Sequence, residues 1–160
     1  MSIPFNANEV FEMAKEIETN GVRFYRAAAV KFPQVKGILL ELADMEDKHK
    51  KTFTEMQDEL AGPEVDPPVF DPEGEADMYL HVMADQHVFD IKADPVALLD
   101  KHDSPRDVLL MAIGMEKDSI AFYVGLRESV SNKAGKEKID AIIKEEYSHI
   151  VILSKMLQEL

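Results

Sequence analysis

The sequence predicts an all-α protein in which two antiparallel helical hairpins are joined by a long, partly helical crossover. Large apolar residues recur at intervals of three and four along four long segments, which is the spacing of the buried face of an α-helix. Proline, glycine and short polar clusters separate these segments. Because only a few residues separate the first segment from the second, and the third from the fourth, each pair is predicted to form a hairpin.

The first hairpin consists of helices predicted over about residues 8–31 and 34–60. Asn6 can cap the first helix, and the side chain of Glu9 can reach back to the backbone of Asn6. This helix is expected to stop before Pro33, because a residue that precedes proline disfavours the helical conformation. Pro33 itself suits the first turn of the second helix, where a missing N–H is tolerated.

The connector, residues 61–103, changes character along its length. Residues 61–77 are rich in proline and acidic residues, which excludes a helix or a central strand there. A short helix is predicted at about 76–92, and Asp94 with Pro95 can begin one or two further turns. A helix of about 27 residues is roughly 40 Å long, so the connector can cross back along a bundle and make the second and third long helices parallel. The alternative is a long loop without a function of its own.

The second hairpin consists of helices predicted over about residues 104–129 and 133–159. The third long helix has a favourable start, because Ser104 can cap it, proline follows at the first turn and Asp107 lies three residues after the cap. A turn is predicted at residues 131–135, before the fourth helix takes the rest of the chain.

The predicted buried faces contain glutamate and histidine where a core residue is expected. The helices with a lone glutamate have faces formed by Phe11, Ala14, Glu18, Gly21, Tyr25 and Ala28, and by Leu109, Ile113, Glu116, Ile120 and Tyr123. The helices with Glu-x-x-His have faces formed by Val35, Ile38 or Leu39, Leu42, Glu46, His49, Phe53, Met56 and Leu60, and by Ile139, Ile142, Glu146, His149, Leu153, Met156 and Leu160. The two halves of the chain therefore form an internal repeat, with a spacing of 28 residues from Glu18 to Glu46 and of 30 from Glu116 to Glu146.

Buried glutamates need a compensating charge, because removing an ionised carboxylate from water is strongly unfavourable. Two divalent metal ions would balance four carboxylates, and two neutral imidazoles would complete the ligand shells. Oxygen and nitrogen ligands suit iron, manganese or zinc. We therefore predict a site for two metal ions, whose ligands are Glu18, Glu46, His49, Glu116, Glu146 and His149.

The spacing also predicts the coordination role of each of these ligands. Residues three apart lie on one face of a helix, about one turn from each other. Glu46 and Glu146, which each precede a histidine, are predicted to bridge the two metals, and each histidine is predicted to bind one of them. Glu18 and Glu116 are predicted to be terminal or chelating ligands, one per metal. The tyrosines that follow these two glutamates by seven residues can hydrogen-bond to ligand carboxylates.

Four segments that carry these residues resemble the rubrerythrin-like branch of the ferritin-like superfamily: "EIETNGVRFY", "MEDKH", "GMEKDSIAFY" and "EEYSHI", in that order. The resemblance covers about residues 8–60 and 104–160, together with the general character of "YLHVMADQHVF" in the connector. It implies a ferritin-like four-helix bundle that holds a non-haem di-iron centre. It also implies a protein that reduces hydrogen peroxide with two electrons from the reduced centre.

The sequence departs from this branch in two ways. Rubrerythrins usually have a rubredoxin-type domain in which four cysteines hold iron, whereas this chain has no cysteine. We therefore expect an external electron donor, for example a separate rubredoxin-like protein. Rubrerythrins also have a second glutamate three residues after the ligand of the third helix, where this chain has Ser119. The ligands of this chain fit a simpler, symmetric site.

Composition limits the remaining possibilities. The 160 residues, with a net charge of −13, are expected to form one domain over residues 1–160, and the acidic charge argues against nucleic acid or an anionic membrane as a partner. No apolar run of ~18 residues suggests a membrane span, and no secretion signal is apparent. The absence of cysteine excludes disulfides and thiolate metal sites. A cytoplasmic homodimer is expected.

Two functions follow as hypotheses. The first is a di-iron oxidoreductase, of peroxidase or ferroxidase type, that acts on hydrogen peroxide or dioxygen. The second is iron sequestration or ferroxidase activity without peroxide turnover, and a metal that only holds the fold together is a weaker third possibility. His81, His87 and His102 do not share the Glu-x-x-His pattern and are expected to have surface or packing roles.

Overall fold

The computed structural model describes residues 6–59, 72–84 and 94–160. Within these ranges the protein is helical and contains no strand, so the predicted all-α fold is confirmed. The α-helices are α1 (Ala7–Lys31), α2 (Lys36–Glu59), α3 (Glu75–Ala84), α4 (Pro95–Leu99), α5 (Pro105–Glu128) and α6 (Lys133–Glu159). None of the helices in these ranges is both long and apolar enough to span a membrane.

Side-chain caps define two of the helix starts as predicted. The backbone N–H of Glu9 donates to Oδ1 of Asn6 at 3.0 Å, and the N–H of Asn6 donates to Oε2 of Glu9 at 2.9 Å, which completes a capping box for α1. The N–H of Asp107 donates to Oγ of Ser104 at 3.1 Å at the start of α5. These bonds satisfy N–H groups that have no partner within the helix.

The start of the second long helix differs from the prediction. Pro33–Val35 form a short 3₁₀-helix, and α2 begins at Lys36 rather than at residue 34. The chain leaves the helical conformation at Phe32 (φ −125°, ψ 76°), and the tighter 3₁₀ turn then redirects it into α2. The link between α1 and α2 is still short enough to make them an antiparallel hairpin.

The hairpins are arranged with α1 against both α2 and α5, and α6 against both α5 and α2. The hydroxyl of Tyr25 donates to Glu116, and the hydroxyl of Tyr123 donates to Glu18. This crossed pairing requires α1 and α5 to be antiparallel. Because α1 is also antiparallel to α2, helices α2 and α5 run in the same direction, as a crossover connection requires.

The apolar core forms two clusters at opposite ends of the bundle. The Phe11 cluster includes Phe11, Phe53, Phe122, Tyr123 and Ile139. The Phe24 cluster includes Phe24, Tyr25, Leu39, Leu109 and Leu153. On each of the four long helices, the predicted metal ligands lie between residues of one cluster and residues of the other. The polar layer is therefore closed off by apolar side chains at both ends.

Three positions refine the predicted faces. Ser119 is buried on α5, whereas Ile120, which was predicted there, is only half-buried. On α2 the choice between Ile38 and Leu39 is resolved in favour of Leu39, which is 1% exposed. Leu160 is exposed because α6 ends one residue earlier. The first two differences are within the one-residue ambiguity of a face whose spacing alternates between three and four.

The described parts of the connector pack along the bundle. Helix α3 lies against α5, where the hydroxyl of Tyr79 donates to the backbone oxygen of Ala121 at 2.6 Å. Helix α4 lies against α1, where Arg23 forms an ion pair with Asp94 at 3.0 Å. The short helix predicted at 76–92 is described only as far as residue 84, and Leu60 and His87 lie outside the described residues.

The contact between α3 and α5 depends on Gly125. A Cβ atom at this position would lie 2.7 Å from Cδ1 of Tyr79 and 2.8 Å from Cδ2 of Leu80. We predict that Gly125→Ala displaces α3 and lowers the free energy of unfolding by ~1–3 kcal/mol. Gly114→Ala in the same helix is the control, because nothing lies within 4 Å of its Cβ and alanine favours a helix by up to ~1 kcal/mol. Urea denaturation measures both variants, and equal stability of the two would contradict this role.

Candidate metal centre

The structure brings the six predicted ligand residues together in the middle of the bundle. Two overlapping groups, each with ligand atoms within 4.8 Å of one another, consist of Glu18, Glu46, His49 and Glu146, and of Glu46, Glu116, Glu146 and His149. Each of these residues is at most 4% exposed. These are the only such groups in the described part of the chain. Their assignment as metal ligands stays a prediction, which this geometry supports.

The two groups share two glutamates and differ in the other residues. Glu46 and Glu146 belong to both groups, which is the position that a bridging carboxylate requires. Glu18 belongs to the first group and Glu116 to the second, as expected for terminal ligands. The two imidazole rings are stacked, with centroids 5.7 Å apart and planes at 18°. The site therefore has an approximate twofold arrangement that follows the sequence repeat.

Both histidines turn the same ring nitrogen toward the carboxylates. Nδ1 of His49 lies 3.1 Å from Oε1 of Glu146 and 3.4 Å from Oε2 of Glu46. Nδ1 of His149 lies 2.9 Å from Oε2 of Glu146 and 3.4 Å from Oε1 of Glu46. Each shared carboxylate thus directs one oxygen to one histidine and the other oxygen to the second, which suits a bridge between two ions.

Several polar atoms in this layer are buried without a hydrogen bond in the described part of the protein. They are Nδ1 of His49, both carboxylate oxygens of Glu146, and both ring nitrogens of His149. The short contacts between Nδ1 atoms and carboxylates do not have hydrogen-bond geometry. Buried polar atoms almost always have partners, so this set indicates a missing one. Two cations between the groups would satisfy both the oxygens and the Nδ1 atoms, and the residues therefore fit a di-metal site.

Two tyrosines hold the terminal glutamates from the opposite half of the molecule. The hydroxyl of Tyr25 donates to Oε1 of Glu116, and the hydroxyl of Tyr123 donates to Oε1 of Glu18. The prediction that these hydroxyls bind carboxylates therefore holds, with the partner across the bundle rather than on the same helix. The Oε2 atoms of both glutamates remain directed to the histidines, at 3.5 Å and 3.6 Å.

Burial and mutual repulsion act differently on the four carboxyl groups. Burial and the charge of Glu46 raise the pKa of Glu18 and of Glu116 well above its ordinary value. Burial also acts to raise the pKa of Glu46, but its close contacts with the two histidines outweigh this and lower it. The same balance lowers the pKa of Glu146.

The histidines respond to the same carboxylates. Burial alone would lower the pKa of His149, but its contacts with Glu116 and Glu146 raise it to about 12. The pKa of His49 is also raised, because contacts with Glu146 and Glu18 outweigh burial. In the absence of metal, these raised pKa values favour protons on the two histidines and on Glu18 and Glu116.

Two residues near the ligands have roles that periodicity alone did not show. Glu145 directly precedes the predicted ligand Glu146, and it accepts a hydrogen bond from Nε2–H of His49 at 2.8 Å. Gly21 lies against Glu46, since a Cβ atom there would be 3.1 Å from Cγ of that side chain. A glycine on the predicted buried face, three residues after Glu18, was the available signal.

His81 and His102 have no place in this centre. His81 lies 3.5 Å from Asp77 on the same helix, and the backbone oxygen of His102 accepts a hydrogen bond from Lys31. Neither belongs to a group of described residues that could hold a metal ion.

Comparison with known proteins agrees with this geometry. The family model described as Rubrerythrin matches residues 9–80, which contain most of α1, all of α2 and three of the six predicted ligands. A solved structure from Thermotoga maritima, described as a ferritin-like diiron-carboxylate protein, matches with a TM-score of 0.74 and 26% sequence identity. The alignment covers 99% of this chain and 99% of that chain. A search of curated proteins gives no match.

The space beside Gly21 provides the first test of the centre. In Gly21→Ala the new methyl group must push the Glu46 side chain by a few tenths of an ångström, because both Cγ and Cδ lie within 3.3 Å. Since Glu46 belongs to both groups, we expect affinity for both ions to fall, by ~10-fold or more. Gly37→Ala, which meets nothing within 4 Å, is the control. Calorimetric titration with Zn²⁺ measures the effect, and unchanged binding by Gly21→Ala would contradict the bridging position of Glu46.

The proton balance provides the second test. Burial and neighbouring charge raise the pKa of Glu18 and Glu116, and contacts with carboxylates raise the pKa of both histidines, so the protonated forms are favoured without metal. Metal ions must displace these protons, so we predict proton release on binding and an affinity that falls as pH falls. Titration in buffers of different ionisation enthalpy counts the released protons. Glu18→Gln should release fewer protons than the unaltered protein, and no release by the unaltered protein would contradict this prediction.

Proposed function

We propose that this chain, a rubrerythrin-like protein of the ferritin-like di-iron carboxylate group, reduces hydrogen peroxide or dioxygen with electrons from an external donor. The observation that carries this proposal is the pair of buried four-residue groups that share Glu46 and Glu146. Four carboxylates and two imidazoles match two divalent ions in charge, and carboxylate-rich sites with one imidazole per metal suit iron. Manganese and zinc are also compatible with these ligands.

The reaction requires electrons and protons in equal number. Reduction of one hydrogen peroxide takes two electrons and two protons and yields two water molecules. Iron bound at this site would supply the electrons by passing between its ferrous and ferric states. The protein supplies a rigid ligand set that tolerates this change of charge, because four carboxylates surround the position of the ions.

The surrounding residues keep the site dry and hold protons close to it. The Phe11 and Phe24 clusters close the bundle above and below the ligands, which limits access of bulk water. Tyr25 and Tyr123 are fully buried, and burial together with the neighbouring carboxylates raises the pKa of each hydroxyl. Both hydroxyls therefore keep their protons at neutral pH and continue to orient the terminal glutamates.

The electron donor is proposed to be a separate molecule. The chain has no cysteine, so it cannot build a cysteine-ligated iron site that would feed electrons into the centre. A small redox protein of rubredoxin type is one such donor. The homodimer and the cytoplasmic location predicted from the sequence stay predictions that accompany this proposal.

Iron oxidation without peroxide turnover is the second candidate, and Ser119 favours it. This residue occupies the position of the additional glutamate of rubrerythrins, and its hydroxyl donates to the backbone oxygen of Met115 at 3.0 Å. It therefore provides no seventh ligand. The six predicted ligands would then bind the ions without the exchange of ligands that an additional carboxylate would allow.

Rapid mixing of the ferrous protein with an oxidant tests the proposal. We predict that one equivalent of hydrogen peroxide oxidises the iron faster than it oxidises free ferrous iron, and that an added reductant restores the ferrous state for further cycles. Glu46→Ala should slow this oxidation by at least ~100-fold, because it removes a ligand of both ions. Glu41→Ala, an exposed change on the same helix, is the control. Stopped-flow absorbance of the ferric product is the measurement.

The same experiment separates the two candidates. Rapid oxidation by dioxygen but not by peroxide, with more than two iron ions retained per chain, would identify an iron-handling protein. Oxidation no faster than that of free iron with either oxidant would contradict both.

A further inference from the structure

The two predicted metal-binding histidines differ at the ring nitrogen that faces away from the carboxylates. In His49 the Nε2–H donates a hydrogen bond to Oε2 of Glu145 at 2.8 Å, across the bundle from α2 to α6. In His149 the Nε2 atom is buried and has no hydrogen-bond partner among the described residues. The approximate twofold arrangement of the centre is therefore broken at this outer position.

The sequence repeat shows where the difference comes from. Because Glu46-x-x-His49 corresponds to Glu146-x-x-His149, the residue that corresponds to Glu145 is Met45. A carboxylate thus precedes the shared glutamate on α6, and a thioether side chain precedes it on α2. Methionine is at best a weak acceptor, so it cannot replace a carboxylate as the partner of an imidazole N–H.

This difference affects the form of imidazole that can bind a metal. The Nδ1 atoms face the shared carboxylates, and a neutral imidazole that binds a metal through Nδ1 must carry its hydrogen on Nε2. In His49 that hydrogen has an acceptor, which fixes both the tautomer and the orientation of the ring. In His149 the same tautomer leaves a buried N–H without an acceptor, which is unfavourable.

Glu145 is not itself a ligand. Its side chain is about 50% exposed, and it belongs to neither group of residues that could hold an ion. Solvent screens the charge of such a half-exposed carboxylate, so its main effect on the centre is to hold the His49 ring.

We propose that Glu145 is a positioning residue for His49 and that it makes the two metal positions unequal. The position formed by Glu18, Glu46, His49 and Glu146 binds its ion more tightly and fills first. The position that contains His149 fills second. This inference rests on the proposed di-metal function, and it adds an order of loading and a chemical difference between the two ions.

Titration with Zn²⁺ alone, in competition with a chelator, tests the order of loading. The unaltered protein is expected to bind two ions in separate steps whose affinities differ by ~10–100-fold, the usual effect of an outer-shell partner. In Glu145→Ala the stronger step weakens by this factor and the two affinities converge. Glu145→Gln retains an oxygen that can accept from Nε2–H, so it should keep most of the difference. Glu41→Ala is the matched surface control.

A substitution at the corresponding position of α2 tests the proposed role of Glu145 through an increase in the affinity for the second ion. Met45→Glu places a carboxylate at the position on α2 that corresponds to Glu145 on α6. It should strengthen the weaker step while leaving the stronger one unchanged. A general loss of stability cannot produce this result, so the variant distinguishes positioning from a merely structural role.

Proton NMR of the Zn²⁺-loaded protein provides an independent signature. An imidazole N–H that donates to a carboxylate should give a downfield signal protected from exchange, and His49 should show it in the unaltered protein. Glu145→Ala should lose this signal while the helical backbone signals persist.

The outcomes separate this inference from the proposed function. Binding of fewer than two ions by the unaltered protein would contradict the di-metal function itself. Two ions of equal affinity, or a stronger step and an N–H signal that survive Glu145→Ala, would overturn the role of Glu145 while leaving the di-metal function intact.

Discussion

Everything in this bundle depends on four carboxylates that are held between two apolar clusters. Ionised side chains in such a place are strongly unfavourable unless opposite charges share the layer. Protons on the histidines and the terminal glutamates can provide the balance, and so can two divalent ions. Both solutions give the layer the same net charge. The fold can therefore form before metal is bound, and metal ions can then replace protons without a change in the charge of the core.

The burial of the six predicted ligands could be predicted from sequence because it follows from helix periodicity. Glu46 and His49 occupy one face of a regular helix, and an α-helix keeps its residues in register over many turns. The crossed bonds from Tyr25 to Glu116 could not be assigned in the same way. They depend on how far α1 and α5 slide past each other, which is set by packing of whole side chains. Periodicity within one helix contains no information about that offset.

The remaining differences between prediction and structure concern residues that lie next to a predicted buried face. Ser119 rather than Ile120 is buried, and Glu145, which is adjacent to a ligand, reaches a histidine of another helix. A pattern of threes and fours leaves one position undetermined at each turn, so neighbouring contacts decide which residue turns inward. The 3₁₀ turn at Pro33 has a similar origin, because the proline is compatible with the first turn of either kind of helix.

The two halves of the repeat share some features of the predicted metal centre and differ in others. Charge balance and the tyrosine bonds are the same in both halves, because every carboxylate in the dry layer must be neutralised and held. The positions next to the ligands are not under that constraint. Gly21 leaves space for a shared carboxylate where the other half has Ser119, and Met45 stands where the other half has Glu145. In the centre that we propose, a symmetric set of charges can thus contain two chemically different metal positions, and two electrons need not come from equivalent ions.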